Sequence, residues 1–100
     1  KPSPGTISTL VLPGGPGVRV DTHAYAGYTI SSYYDSLVAK LIVHRRTRRE
    51  AIATMRRALD EFVVEGIRTN IPLHQQIFGH TKFLRGDFDT GFIENVMTME

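Results

Sequence analysis

The stretch SLVAKLIVHRRTRREAIATMRRALDEFVVEG, residues 36–66, decides the fold class because it joins a candidate strand to a candidate helix. Residues 36–44 form an apolar run interrupted by Lys40, and its β-branched residues predict a strand. A basic segment follows, and then a long amphipathic pattern begins. One strand followed directly by one long helix indicates a domain that contains both kinds of element.

The helix in this stretch has clear start and stop signals. Thr47 with Glu50 three residues later forms a capping box, and Gly66 is the expected stop, which predicts a helix to about Glu65. Apolar residues recur between these signals at helical spacing. They are Ile52, Met55, Leu59, Phe62 and Val63.

The first forty residues are predicted to be rich in β-structure. Residues 6–12 form a candidate strand, and the turn at residues 13–17 is expected to close a hairpin with a second strand directly after it. This turn is glycine-rich, but Pro13 and Pro16 lack the N–H donors of a phosphate-binding loop and no Lys-Ser or Lys-Thr follows. We therefore interpret it as a hairpin turn.

The second strand places a cation on a rigid element. Side chains alternate along a strand, so Val18 and Val20 share one face while Arg19 and Asp21 share the other. A guanidinium stays charged and can donate two parallel hydrogen bonds to a planar anion, which suits an oxyanion or enolate. The alternative is a solvated surface arginine or an ion pair with Asp21.

The C-terminal third is predicted to be helical. A short strand at residues 67–68 precedes a second helix, which is capped at residue 69 or 70 and ends before Gly79. Two short helical pieces are expected in the tail, one ending near Gly86 and one over residues 92–96. The predicted fold is α+β, an antiparallel sheet from the N-terminal half packed against one long helix and shorter C-terminal helices.

Composition limits the class of protein. The chain has 100 residues, 41% of them apolar and 22% charged, which is typical of one soluble globular domain. It has no cysteine, which excludes disulfides and thiolate chemistry and favours a cytoplasmic location. No apolar run is long enough for a membrane span, no secretory signal is recognised, and the four histidines lack a metal-binding spacing.

Arginine is concentrated in one part of the chain. Six of the 12 Lys and Arg residues lie between positions 45 and 57. Such a cluster can contact nucleic-acid phosphates, but no stacking aromatics are interleaved and acidic residues share the helix, which favours a mixed solvated face. Arg48 differs, because it lies within the apolar stripe and in the first helical turn, where the helix dipole disfavours a cation. This placement indicates an acidic partner or a side chain that snorkels along the helix end.

Three further polar residues could assist Arg19. Tyr33, Asp35 and Lys40 could form an acid-base group or a structural network that fixes the arginine strand, and the spacing favours the network. His23 is expected on the same face as Arg19, as a structural histidine. No nucleophile-base pair is recognised, so the chain by itself specifies no complete reaction.

A set of short motifs carries a specific resemblance. They are PSPG (2–5), PGG (13–15), GVR (17–19), YAGY (25–28), YYDS (33–36), KL (40–41), EGI (65–67), TN (69–70) and TGFIE (90–94). In order and spacing they resemble the C-terminal domain of biotin carboxylase over nearly the whole chain, residues 1–100. The resemblance is greatest to the biotin carboxylase subunit of acetyl-CoA carboxylase.

The resemblance implies part of an ATP-grasp ligase, in which ATP, Mg²⁺ and bicarbonate, bound by upstream domains, carboxylate biotin on a carrier protein. It implies that Arg19 contacts the ureido oxygen of biotin and stabilises its enolate. It further implies a homodimer with Arg48 and His44 at the interface, and as partners the rest of the carboxylase chain, a biotin carboxyl carrier protein and a carboxyltransferase. The domain alone is expected to be inactive and to bind no metal, membrane or nucleic acid.

The main rival hypothesis is that the domain acts mainly as a dimerisation scaffold of the same carboxylase. Nucleic-acid binding by the arginine-rich helix is a third hypothesis. The segment at residues 44–49 is more basic than is common in the family, so the interface partners of its residues do not follow from the resemblance.

Overall fold

The computed structural model describes residues 5–30, 37–79 and 91–99. The described chain forms strands and helices in the α+β arrangement that the sequence predicts. In chain order these are β1 (Gly5–Thr6), β2 (Thr9–Val11), β3 (Val18–Asp21), β4 (Thr29–Ile30), β5 (Leu37–His44), α1 (Arg48–Glu61), β6 (Val63–Glu65), α2 (Ile71–Gly79) and β7 (Phe92–Thr98).

The main sheet has three antiparallel strands in the order β3-β5-β7. The central strand, β5, is the predicted apolar strand, and its neighbours pair with it so that Arg19 lies opposite Ile42 and Ile42 opposite Glu94. Strand alternation gives this sheet one apolar face, which we call the inner face. Its side chains are those of Val18, Val20, Leu41, Val43, Ile93, Asn95 and Met97.

Helix α1 packs against the main sheet and against α2. Its predicted start is confirmed, because the Thr47 hydroxyl accepts a hydrogen bond from the Glu50 N–H at 3.2 Å. Met55 and Leu59 on α1 are fully buried together with Leu41 of β5. Burial of such side chains stabilises the fold by roughly 1.5–3 kcal/mol each.

The predicted end of the long helix is wrong. α1 ends at Glu61, and Phe62 is already extended with φ −78° and ψ 112°. Val63 and Val64 instead pair with Val11 and Leu10 of β2. Two β-branched residues prefer a strand when a partner is available, and this pairing overrides the helical spacing of the apolar residues.

The predicted hairpin is also wrong. β2 pairs with β6 while β3 pairs with β5, so residues 12–17 carry the chain from one sheet to another. The first predicted strand is split into β1 and β2, and β1 pairs with β4. Gly66, expected as the helix stop, has φ +99° and lies where a Cβ would collide with the backbone at Thr6 and Ser8.

The C-terminal strand β7 corrects the prediction of a helix at residues 92–96. Its burial alternates, with Ile93 and Met97 buried and Phe92 exposed, as a sheet strand requires. Residues 67–68 are outside the strands, but α2 is confirmed over Ile71–Gly79. The helical piece predicted to end near Gly86 lies outside the described residues.

Asn70 joins the start of α2 to β7. Its backbone N–H donates to the Thr98 carbonyl at 3.1 Å, and its side-chain oxygen accepts from the Thr98 N–H at 2.9 Å. Its side-chain nitrogen donates to the Val96 carbonyl at 3.2 Å. The amide side chain therefore pairs with β7 much as a neighbouring strand would.

Neither helix of the described chain is long and apolar enough to cross a bilayer.

Candidate functional site

The face of the main sheet opposite the core carries the candidate site, and we call it the outer face. Helix α1 covers the inner face, so the outer face of the described chain is open. The pairing of β3, β5 and β7 gathers charged and apolar side chains on it. They are Arg19, Asp21, Lys40, Ile42, His44, Phe92, Glu94 and Val96.

Arg19 is the most exposed charge of this face, with 71% of its side chain accessible. Its Nε donates to Oδ1 of Asp21 at 2.9 Å and its Nη2 donates to Oδ2 at 2.8 Å. A guanidinium has five N–H groups, so three remain for another acceptor. The predicted ion pair with Asp21 and a role in anion binding are therefore compatible.

The ion pair between Arg19 and Asp21 keeps both residues charged. The hydrogen bond from Arg19 lowers the pKa of Asp21 below its usual value, and the charge of Lys40 acts in the same direction. The hydrogen bond to Asp21 raises the pKa of Arg19. A charged guanidinium at a fixed orientation is what an anionic ligand requires.

The position of Arg19 comes from its strand. Val18 and Val20 are packed against the core on either side of it, so the alternation of the strand directs Arg19 outward. The chain enters β3 through Gly17, whose carbonyl accepts from the His44 N–H at 2.9 Å. With φ +75° at Gly17, a residue with a Cβ would be strained there.

Lys40 and Glu94 extend the charge pattern across the sheet. Their Nζ and Oε2 atoms are 3.8 Å apart, and both side chains are nearly half exposed. Such an exposed pair contributes little stability, at most about 1 kcal/mol. The outer face thus alternates cation and anion, with Arg19 as the cation whose spare donors are accessible.

The other predicted site residues fall in different places. His44 lies on the outer face and packs edge-on against Phe92, with ring centroids 6.2 Å apart. Arg48 is half-buried at the start of α1 and its Nε atom is enclosed, in agreement with its position in the apolar stripe. Tyr33 and Asp35 lie outside the described residues, so their proposed support of Arg19 stays a prediction.

His23 does not share a strand face with Arg19. β3 ends at Asp21, and the His23 ring packs edge-on against Tyr28 with centroids 5.3 Å apart. Glu94 was missed as a member of the site because residues 92–96 were expected to be helical. The residue types of β7, FIENVMT, do not alternate between apolar and polar, so only the pairing of β7 with β5 places Glu94 on the outer face.

Chemically, the outer face can bind and stabilise an anion. The described residues include no group of three or more side chains that could hold a metal ion. A preorganised guanidinium stabilises negative charge that develops on an oxygen, because it does not have to reorient during the reaction. The fold and the site together define an α+β domain that presents an exposed arginine, oriented by an ion pair, on one face of its sheet.

Comparison with known proteins identifies the family. Residues 1–95 match the model of the biotin carboxylase C-terminal domain. The chain is 54% identical to biotin carboxylase 1 of Bacillus subtilis over 98 residues, which are 98% of the chain and 22% of that protein. It is 45% identical to a pyruvate carboxylase subunit of Methanothermobacter thermautotrophicus over 93 residues, which are 93% of the chain and 19% of that protein.

Solved structures agree. One is the biotin carboxylase domain dimer of the Hydrogenobacter thermophilus 2-oxoglutarate carboxylase, in complex with MgADP and bicarbonate. It superposes with a TM-score of 0.82 at 44% identity, covering 89% of this chain and 20% of that one. The chain belongs to the biotin carboxylase C-terminal domain family and spans about a fifth of the length of the relatives it matches.

Proposed function

We propose that this domain completes the biotin site of an ATP-dependent biotin carboxylase, with Arg19 as the residue that stabilises the biotin enolate. The observation that carries the proposal is the geometry of Arg19. Two of its five N–H groups are held by Asp21, the other three are not used by that pair, and 71% of the side chain is accessible. Family membership supplies the reaction, and the outer face supplies the oxyanion-stabilising group.

In the proposed reaction, the ureido oxygen of biotin accepts hydrogen bonds from the free N–H groups of Arg19. If a base on another domain of the polypeptide takes the N1′ proton, negative charge would develop on this oxygen, and the guanidinium would stabilise it more than it stabilises neutral biotin. Asp21 orients the guanidinium and remains ionised because its pKa is lowered. ATP and Mg²⁺ supply the activation of bicarbonate, and we assign their binding to other domains of the polypeptide.

The partners follow from this step. We propose that biotin arrives on a carboxyl carrier protein and that a carboxyltransferase uses the carboxybiotin, in a cytoplasmic acetyl-CoA carboxylase that serves fatty acid biosynthesis. The matched relatives include carboxylases named for pyruvate and for 2-oxoglutarate. We therefore assign the domain to the carboxylation of biotin, a step that these enzymes share. The transferase selects the final acceptor of the carboxyl group.

The test is the substitution Arg19→Gln in the complete carboxylase polypeptide. We expect carboxylation of free biotin to fall about 10²–10³-fold, as for loss of one oxyanion donor, with bicarbonate-dependent ATP cleavage retained. Arg46→Gln removes the same charge from an exposed site and should leave both activities unchanged. If Arg19→Gln matches wild type in biotin carboxylation, the assignment of Arg19 is wrong.

We also propose that the polypeptide forms a homodimer in which His44 and Arg48 contact the partner. The dimeric structure of the related 2-oxoglutarate carboxylase domain supports this proposal. The change Arg48→Glu should shift sedimentation of the complete polypeptide from dimer to monomer, since a reversed charge would face the proposed acidic partner. The matched change Arg49→Glu, at an exposed site one residue later, serves as control. A dimer that persists in Arg48→Glu contradicts the assignment.

A further inference from the structure

The segment at residues 12–17, which we call the crossover loop, leads directly into the strand of Arg19. Few backbone hydrogen bonds can form within it, because Pro13 and Pro16 have no N–H to donate, and Gly15 and Gly17 adopt φ of +106° and +75°. Its internal turn has one backbone hydrogen bond, from the Val18 N–H to the Gly15 carbonyl at 3.2 Å. Other contacts must hold this loop in place.

Two arginines of the cluster at residues 45–57 provide such contacts. Nη1 of Arg45 donates to the Pro16 carbonyl at 3.0 Å, and Nη1 of Arg57 donates to the Gly14 carbonyl at 3.3 Å. Arg45 follows the end of β5 and Arg57 lies on α1, so the loop is held from two elements. Hydrogen bonds from charged donors are stronger than neutral ones.

Residue 45 is itself fixed on its other side. Its backbone N–H donates to the Gly91 carbonyl at 2.8 Å, immediately before β7 begins. At Gly91 a Cβ would overlap the Arg45 carbonyl, so the two backbones are in close contact. The guanidinium of Arg45 therefore extends from an anchored backbone and not from a free loop.

The anchor matters because, among the described strands, β3 has one neighbour in the main sheet. β3 has four residues, its described partner is β5, and Arg19 is its second residue. A shift of the crossover loop would move the start of this strand and the direction of the Arg19 side chain. Misplacement by about 1 Å can reduce a rate 100-fold when geometry limits catalysis.

We propose that Arg45 is a positioning residue for Arg19, acting through the Pro16 carbonyl, and that Arg57 assists it at Gly14. This inference rests on the proposed role of Arg19 at the biotin enolate. It also gives a function to part of the arginine cluster, since one side chain secures the loop from the end of β5 and one from α1.

The first test measures biotin carboxylation by the complete polypeptide with Arg45→Met. We expect kcat/KM for free biotin to fall about tenfold, with bicarbonate-dependent ATP cleavage unchanged. Arg45→Lys should recover most of the activity, because the native contact uses one donor and lysine can supply it. Arg46→Met is the matched control, as Arg46 is exposed and forms no hydrogen bond within the described chain.

The second test is a double-mutant cycle with Arg19→Gln. If Arg45 acts through Arg19, Arg45→Met should reduce the remaining activity of Arg19→Gln less than twofold. Two results would overturn the inference and leave the role of Arg19 intact. One is an equal loss of activity from Arg45→Met in the wild-type and Arg19→Gln backgrounds. The other is an Arg45→Met enzyme with the same activity as Arg46→Met. Sedimentation of each variant identifies any loss that comes from dissociation, and a loss of that origin also counts against positioning.

A third measurement does not depend on the role of Arg19. Hydrogen exchange at the Val18 N–H reports the order of the crossover loop, because this N–H closes its internal turn. Arg45→Met should accelerate this exchange about tenfold and Arg46→Met should not. Unchanged exchange would refute the anchor. Unchanged biotin carboxylation in Arg19→Gln would instead refute the proposed function.

Discussion

At the scale of the residue, the sequence placed Arg19 correctly and left its partner open. Alternation along a short strand was enough to direct Arg19 and Asp21 to one face. It could not decide between an ion pair and a ligand-binding arginine. The structure shows the ion pair, which uses two of the five N–H groups, and the ligand-binding role of Arg19 stays a proposal that is compatible with it.

Asp21 is therefore expected to matter for the orientation of Arg19. Asp21→Asn keeps one oxygen acceptor but loses the second hydrogen bond and the charge, so the guanidinium can rotate. We predict that kcat/KM for biotin falls about fivefold in the complete polypeptide while the fold is retained. Arg46→Met, which removes an exposed charge outside this face, is the control, and an equal loss there would contradict the prediction.

The same pair has a defined pH dependence. Because Arg19 lowers the pKa of Asp21, the stabilisation is present above the usual carboxyl pKa of about 3.9 and is lost only as the pH falls through the lower folded value. Neither member titrates between pH 6 and 9. The pH profiles of wild type and Asp21→Asn should therefore have the same shape there, and a new inflection in the variant would contradict this assignment.

At the scale of the element, local signals succeeded where they were strong. The apolar run gave β5, the capping box gave the start of α1, and α2 was found from its flanking residues. The errors have one physical origin, which is strand pairing between distant segments. The end of α1, the supposed hairpin and β7 were all decided by a partner strand that is far away in sequence.

β7 shows why the pattern was ambiguous. Its apolar residues fit both helical and strand spacing, and only pairing with β5 selects the strand. Glu94 and Phe92 reached the outer face as a consequence. The positions of Glu94 and Phe92 in the site depend on the pairing of β7 with β5, so they could not be read from local sequence.

The contact between Asn70 and β7 can be tested at this scale. Asn70→Ala removes the acceptor for the Thr98 N–H and the donor to the Val96 carbonyl. We expect the free energy of local opening to fall by about 1–3 kcal/mol, measured as faster hydrogen exchange at the Thr98 N–H in the complete polypeptide.

Its control is Gln76→Ala, which removes an exposed amide from the same helix. It should leave exchange at Thr98 unchanged. The Ile71 N–H is held by the Thr69 hydroxyl at 3.3 Å, so loss of helix capping is not the expected cause of the effect. Unaltered protection in Asn70→Ala would show that the side-chain contact does not hold β7.

At the scale of the whole molecule, the proposed function requires domains besides this one. The chain spans 22% of the length of biotin carboxylase 1 of Bacillus subtilis, and we assign the binding of ATP and Mg²⁺ to other domains. The 100-residue chain mixed with ATP, Mg²⁺, bicarbonate and biotin should therefore form no carboxybiotin. The complete polypeptide under the same conditions is the positive control, and carboxybiotin from the isolated chain would contradict the proposed division of labour.

The Asn70 contact has one more consequence. Among the described strands, β7 is the last of its sheet, and unpaired backbone groups at such an edge are a template for strand addition by another chain. The Asn70 backbone and side chain occupy the carbonyl and the N–H of Thr98, and the side chain also donates to the carbonyl of Val96. Loss of the side-chain amide would leave the Thr98 N–H unpaired at this edge, where another chain could add a strand, while the backbone bond from Asn70 to the Thr98 carbonyl would remain.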